Sequence, residues 1–220
     1  MKQRILKVLL VVVLLAAVLQ LGRIIGHSLY ASSNRQVRND DRYHSIVRLV
    51  MNNRTFCSGT VVSENLIITA AHCVLEETPL GLMSRGSIEI RPDTNQDTGD
   101  MGAVTYATPQ MDQAMLLGDF KDYKPRRMIT EPEKLSDLRL KNTKFISCGF
   151  PLNGDLYCNE TTFDKPEDFF WDVNGVLIPG MSGGPTMLPD GTVIAVNVAV
   201  HGDKSVISPI YNITKNLGGK

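Results

Sequence analysis

Two small antiparallel β-barrels, an all-β fold, are what this 220-residue chain predicts, and three observations point there. The hydrophobic content, 43%, is that of a core-forming protein. Eighteen glycines and 11 prolines punctuate the chain, which leaves many short segments joined by turns. The segments are rich in β-branched and alternating apolar residues, as strands are. In the first half they fall at 45–51, 55–62, 66–70, 87–91, 103–108 and 114–117. In the second half they fall at 144–149, 156–163, 171–178, 185–188, 192–200 and 205–210. About six strands per half suits two barrels, because closing a sheet on itself removes its unpaired edges. The stretch between, 118–140, carries Lys121, Lys124, Arg126 and Arg127 with two prolines, and reads as a linker whose basic cluster is a solvated face.

The front of the chain is different. Val8 to Leu19 is an unbroken apolar run behind Lys2, Arg4 and Lys7, the layout of an export signal. Extending it to a membrane span of about 20 residues requires admitting Lys7, Gln20 and Arg23. No good small-x-small cleavage site follows at once, since Leu29-Tyr30-Ala31 has a large residue three back. Residues 1–25 are thus expected to be a hydrophobic helix, either a signal peptide or an uncleaved anchor, with the rest of the chain outside the cytoplasm, membrane-tethered or secreted. Residues 26–42 read as a polar tether. The folded part is expected at 43–217, with a first barrel at about 43–120 and a second at about 141–217. Twenty-three basic and 23 acidic residues give zero net charge. That leaves no global field for nucleic acid, which is not an expected partner.

Four cysteines suit an oxidising compartment. Cys57 and Cys73 are 16 apart and Cys148 and Cys158 are 10 apart, so each pair closes a loop short enough for a local disulfide. Metal binding is the competing reading, but there is no C-x-x-C, and His27, His44, His72 and His201 are scattered without ligand spacing. No metal and no cofactor are expected. Asp93 to Asp100 alternates oxygen ligands as calcium loops do, yet its glycine is one place late and Val104 stands where the twelfth-position glutamate belongs. A solvated acidic hairpin is the simpler reading. Asn53, Asn159 and Asn212 begin glycosylation sequons.

Three clusters carry chemistry. Thr69-Ala70-Ala71-His72-Cys73 follows an apolar strand, Asp112 precedes the apolar run Ala114 to Leu117, and Ser182 sits in Pro179-Gly180-Met181-Ser182-Gly183-Gly184-Pro185. A serine hydroxyl is a weak nucleophile until an imidazole takes its proton, and the imidazole needs a carboxylate to fix its tautomer. His72, Asp112 and Ser182 supply those three types. The oxyanion formed on attack must meet preorganised donors, and the N–H groups of Gly180 and Ser182 in a glycine-rich turn are candidates. Gly180-Met181-Ser182-Gly183-Gly184 also satisfies the G-x-S-x-G elbow of α/β-hydrolases, but Asp190 and His201 then fall inside one hairpin, which is too little chain for that fold.

With these motifs in hand, the chain resembles the chymotrypsin-like (trypsin-like) serine proteases, closest to their compact bacterial and viral branch. The likeness rests on TAAHC at Thr69 to Cys73, on Asp112 followed by A-x-L-L, and on S-G-G-P at Ser182 to Pro185, in the order His, Asp, Ser. It runs from about Tyr43 to Leu217. It implies two six-stranded barrels with the active site in the cleft between them, and a Cys57 to Cys73 bridge pinning the histidine loop. It also implies a serine endopeptidase, acting as a monomer on protein or peptide substrates through an acyl-enzyme. The alternative is a catalytically silent, membrane-tethered binding module on the same fold.

The chain departs from the family at several points. Met181 replaces the aspartate that pairs with a processed amino terminus in zymogen-type members, and no I-V-G-G stands ahead of Ser45. Activity without such processing is therefore expected. Counting back from Ser182 puts the floor of the specificity pocket at Val176 and Leu177, with Val198, Ala199 and Val200 as the edge that pairs with substrate. A small or medium apolar side chain fits that set. His201, with Asn197 nearby, keeps glutamate preference open, because some relatives bind an acidic side chain with a histidine here. Val198 replaces a serine that in many relatives helps hold the aspartate.

Overall fold

The computed structural model describes residues 41–92, 99–129, 131, 134, 137, 143–152, 154–166, 170–201 and 204–210. Residues 1–40, where the hydrophobic helix and most of the 26–42 tether are expected, residues 93–98 of the expected acidic hairpin, and Asn212 lie outside them. Among the described residues no helix is long and apolar enough to cross a membrane.

The first half folds into β1 (Ile46–Met51), β2 (Arg54–Ser63), β3 (Leu66–Thr69), α1 (Ala71–Val74), β4 (Leu75–Thr78), β5 (Gly81–Ser84), β6 (Ser87–Arg91), β7 (Asp100–Thr108) and β8 (Gln113–Leu117). The second contains β9 (Lys144–Gly149), β10 (Tyr157–Pro166), β11 (Trp171–Asn174), β12 (Pro185–Met187), β13 (Val193–His201) and β14 (Lys204–Pro209). Strands β1-β2-β3-β8-β7-β6 close one barrel and β10-β11-β14-β13-β12-β9 close the other, and the barrel pairings are all antiparallel. The expected pair of six-stranded barrels is thus the observed fold.

Apolar side chains explain the closure. Ile46, Leu49, Ile67, Ile68, Ile90 and Leu116 are fully buried in the first half, and Phe145, Val173, Ile194 and Ile207 in the second. Each such burial is worth roughly 1.5–3 kcal/mol against exposure.

Three local expectations change. The run at 171–178 stops as a strand at Asn174, because side chains capture the backbone beyond it. Asn159 donates to the Val176 carbonyl at 2.6 Å and accepts its N–H at 3.3 Å, and Ser205 Oγ accepts the Leu177 N–H at 3.0 Å. The hairpin β4–β5 was not foreseen: it stands apart as a two-stranded sheet with Leu80, Leu82 and Met83 exposed, so no buried face imposes a pattern on its sequence. The linker is more than a solvated strap. Phe120 and Tyr123 are buried, and burial, together with the 2.9 Å hydrogen bond that Tyr123 donates to the Asp100 carboxylate, pushes its phenol well above the ordinary value. Arg126 N–H bonds to Val61 of the first barrel, and Ile129 N–H bonds to Val193 of the second. Lys121 and Lys124 do pair with Asp119 and Asp41 in solvent.

Candidate active site

The imidazole sits on the single helical turn α1. Ala70 is extended and Cys73 N–H bonds back to Ala70 C=O, so the chain makes one turn that buries Ala71, Cys73 and Val74 and leaves His72 outside. The Cys57–Cys73 disulfide ties that turn to β2. Asp112 arrives from the β7–β8 turn in the left-handed region, φ 48°, which the short aspartate side chain tolerates better than most. Both its oxygens are used on His72: Oδ1 accepts the backbone N–H at 2.8 Å and Oδ2 meets Nδ1 at 2.7 Å. An ionised carboxylate only accepts, so the imidazole proton belongs on Nδ1, and Nε2 keeps a free lone pair. The Asp112 side chain is 14% exposed against 47% for His72, so the pair is shielded on the acid side and open on the base side.

The missing serine hydroxyl at Val198 is offset by a clamp on the residues flanking Asp112. Ser208 Oγ donates to the Met111 carbonyl at 2.6 Å, and Gln113 Nε2 donates to Ser208 Oγ and to the Pro209 carbonyl at 2.7 and 2.6 Å. Both partners belong to β14, so the second barrel holds the acid of the first.

Ser182 enters from the second barrel. Its carbonyl accepts the Ser58 N–H at 2.8 Å and lies 3.8 Å from Cys73 Sγ, which seats the serine turn beside the turn that carries His72. Its hydroxyl donates to the Val198 carbonyl at 2.9 Å, and no hydrogen bond joins it to His72 in this state. Sequence-predicted His72 and Asp112 are therefore bonded, while Ser182 is adjacent by its backbone.

The turn requires its glycines. Gly180 has φ 97°, and a Cβ there would lie 2.6 Å from Leu152 N. Gly183 has φ 83°, and a Cβ would run into Thr69 Oγ1 and the Ser58 carbonyl. Among the described residues neither Gly180 N–H nor Ser182 N–H has an acceptor, whereas those of Met181, Gly183 and Gly184 do. Met181 is fully buried in the second core, and no carboxylate stands in its place.

Around the pocket, Val176 is exposed, Leu177 is buried and Val200 is exposed. Strand β13 pairs with β14 from Ala195 to His201, with Val198 at a bulge, but it pairs with β12 only as far as Val196. Residues 198–201 thus keep one edge unpaired among the described residues. Ser205 faces Val200 in register, and its Oγ donates to the Gly175 carbonyl at 2.7 Å, which ties the 175–177 loop to β14. Asn197, read as lying near the pocket, is fully buried and donates to the Cys148 carbonyl at 2.7 Å. The side chain of His201 lies outside the described residues.

Both foreseen disulfides are present, Cys57–Cys73 and Cys148–Cys158, the second joining partnered residues of β9 and β10. Cys57, Cys73 and His72 bring three potential ligand atoms within 4.8 Å, but both sulfurs are spent in the disulfide, so no thiolate is offered. Asn159 uses its amide on Val176, while Asn53 stays exposed on the β1–β2 turn. Ser58, Gln113, Asn197 and Ser205 were not singled out by the sequence as organisers of the site. Asn197 carried the one usable signal, an amide inside the apolar run Val193 to Val200.

Comparison with known proteins accords with this geometry. A family model described as a trypsin-like peptidase domain matches residues 57–196. Trypsin Tyr p 3.0101 of Tyrophagus putrescentiae is 26% identical over 163 residues, 74% of this chain and 50% of that protein. The chain thus spans about half the length of that curated relative. The Rv3671c protease from M. tuberculosis in its active form superposes with TM-score 0.62 at 16% identity, covering 86% of this chain and 85% of that one. A Glu endopeptidase in complex with MPD gives TM-score 0.60 at 18% identity, covering 81% and 93%. At such identities the two structures speak to the fold.

Proposed function

The chain belongs to the trypsin-like peptidase family, and from that premise we propose that it is a serine endopeptidase whose nucleophile is Ser182, base His72 and orienting acid Asp112. The observation that carries this reading is the double grip of Asp112 on His72, Oδ1 on its backbone and Oδ2 on its ring, with the serine turn seated against Cys73. A partly shielded acid spent wholly on one exposed imidazole serves a binding surface poorly and a general base well.

The chemistry follows from the atoms. Rotation of the Ser182 side chain moves its hydroxyl from the Val198 carbonyl to Nε2 of His72. As Oγ attacks the scissile carbonyl, Nε2 takes the proton, and Asp112 stabilises the imidazolium. The oxyanion is met by the N–H groups of Gly180 and Ser182, a donor type whose loss costs about 10²–10³ in rate. Collapse breaks the C–N bond, and the imidazolium gives its proton to the leaving amine. Water then repeats the cycle on the acyl-enzyme and releases the acid. The freed Val198 carbonyl and the unpaired edge at 198–201 accept the substrate backbone as an added strand.

Two finer features belong to the same proposal. Met181 packs as an apolar core residue, so the turn needs no amine-carboxylate pair and the enzyme works with its N-terminal extension attached. Val176, Leu177, Val200 and Ser205 present no charge, which favours an uncharged side chain before the scissile bond. The two disulfides support a site of action outside the cytoplasm.

The test is labelling by a serine-reactive phosphonate, with Ser182→Ala as control. Wild-type labelling that disappears in the variant is expected. Labelling of the variant, or none of the wild type, refutes the enzyme. Protein begun near Asp40 behind a tag should react as fast as protein trimmed of it.

A further inference from the structure

We propose that Ser58 is the positioning residue that holds the oxyanion turn in working shape from the opposite barrel, an inference that rests on the peptidase reading above. Ser58 lies on β2 beside Cys57 and is fully buried. Its hydroxyl donates to the Gly180 carbonyl at 2.8 Å and accepts the Phe150 N–H at 2.8 Å, so both its capacities are spent. Its backbone N–H donates to the Ser182 carbonyl at 2.8 Å. One residue of the first barrel therefore grips both residues whose amides are to face the oxyanion.

The grip reaches the peptides on either side of the one that joins Met181 to Ser182, while that one, which presents Ser182 N–H, is held through the Met181 carbonyl, which accepts the Gly184 N–H at 3.0 Å. The peptide that presents Gly180 N–H has the Pro179 carbonyl at its other end, and that carbonyl accepts the Leu152 N–H at 3.0 Å. A planar trans peptide points its C=O and N–H in opposite directions, so fixing the carbonyl on Leu152 aims the Gly180 N–H away from it. Leu152 is itself held two residues earlier, where Phe150 N–H meets Ser58 Oγ. The next peptide is held by the same hydroxyl through the Gly180 carbonyl.

Such fixing is needed here. Glycine adopts either sign of φ at little cost, so the turn does not hold its own shape. Residue 181, a position from which a charged side chain could fix the turn, is the apolar Met181. Arg48 supports the same loop from β1, donating to the Gly154 carbonyl at 2.7 Å and lying 4.1 Å over the Phe150 ring.

The experiment compares wild type with Ser58→Ala, which keeps the backbone N–H and removes the hydroxyl. Turnover of a peptide ester, affinity for a peptide aldehyde whose adduct oxygen occupies the oxyanion site, and binding of uncleaved peptide in a Ser182→Ala background are each measured. The expected result is a loss of about 100-fold in kcat and a parallel loss in aldehyde affinity, with KM and uncleaved-peptide binding within threefold. A kcat within threefold of wild type, or a loss shared equally by peptide binding, overturns the proposal. Should Ser58→Ala not fold, hydrogen exchange on the wild type decides: the Phe150 amide should be protected to the same order as the Ser58 amide in β2, and near-unprotected exchange there overturns it. Absence of phosphonate labelling in the wild type defeats the peptidase reading instead, and leaves the exchange result to judge the grip alone.

Discussion

The two barrels share strand number and closure, and they differ in how they use buried polar side chains. In the first, the Ser45 and Thr60 hydroxyls are buried with no hydrogen-bond partner among the described residues. Of the buried polar side chains there that do bond, Thr69 donates to the Ser58 carbonyl within the barrel, while Ser58 and Gln113 reach across to the second barrel. In the second, four side chains form one directed chain. Thr161 donates to Ser147 at 3.0 Å, Ser147 bonds Thr186 at 2.8 Å, Thr186 donates to Asn197 Oδ1 at 2.8 Å, and Asn197 donates to the Cys148 carbonyl. Because the Thr186 proton is spent on Asn197, the Ser147 contact must run from Ser147 to Thr186. The barrel that offers an imidazole positions it with a disulfide and a carboxylate. The barrel that offers a glycine-rich turn has little beyond Met181 there to pack, and it relies on directional hydrogen bonds.

The sharpest way to break the first barrel's share is Asp112→Asn. The amide can donate where the carboxylate only accepted, so the Nδ1 proton is no longer fixed. A fall of about 10⁴ in kcat with little change in melting temperature is expected, by the behaviour of such triads. A loss under tenfold, read by steady-state kinetics, would remove Asp112 from the mechanism.

Asn197→Leu attacks the second barrel's share. It strips partners from the Thr186 hydroxyl and the Cys148 carbonyl, both buried, at about 1–3 kcal/mol each. A total near 3 kcal/mol corresponds to a drop of roughly 6–12 °C for a domain of this size. Because Gly183 N–H bonds to the Asn197 carbonyl beside Ser182, kcat should fall as well. A variant that melts like wild type and turns over normally would erase the contrast between the barrels.

That contrast also marks how far the sequence could be read. The strands were legible because alternation and turn residues are local, and His72, Asp112 and Ser182 were legible because each sits in a short motif. Both disulfides followed from spacing. Ser58, Gln113 and Ser205 were not legible, since their roles depend on which strand of the other barrel, or which loop, lies opposite. From the sequence Asn197 reads as a neighbour of the pocket residue His201, but its side chain is fully buried and spent on Thr186 and the Cys148 carbonyl, partners distant in sequence. The loop at 176–178 reads as strand because its apolar residues look like one, while the amide that unmakes it, Asn159, is 17 residues away.

A matched pair of substitutions sharpens the comparison at lower energy. Threonine to valine keeps shape and removes the hydroxyl. At Thr60 that hydroxyl has no partner, so Thr60→Val should leave stability unchanged or raise it by up to about 1 kcal/mol. At Thr186 the hydroxyl links Ser147 to Asn197, so Thr186→Val should cost about 2 kcal/mol. Equal shifts in denaturant midpoint at the two sites would mean that the directed chain contributes nothing.

The smallest effect lies at the hairpin turns, and it is one of pH. The β12–β13 turn is held by Asp190, whose Oδ1 accepts the Thr192 N–H at 2.9 Å beside Gly191 at φ 86°. The Thr192 amide draws the Asp190 carboxyl below its ordinary value of 3.8, against a partial opposing push from burial. A carboxyl lowered in the folded state stabilises the fold as the anion. Its contribution is therefore complete above that ordinary value and is lost as pH falls through the lower folded value. The β1–β2 turn instead carries Asn52 and Asn53, which do not titrate. The carboxylate is exposed and screened, which limits the effect to about 0.5 kcal/mol or less. Melting curves of wild type and Asp190→Asn should differ by a constant amount above about pH 5 and converge at lower pH. A gap that widens on acidification would reverse the sign and rule out the Thr192 bond as its source.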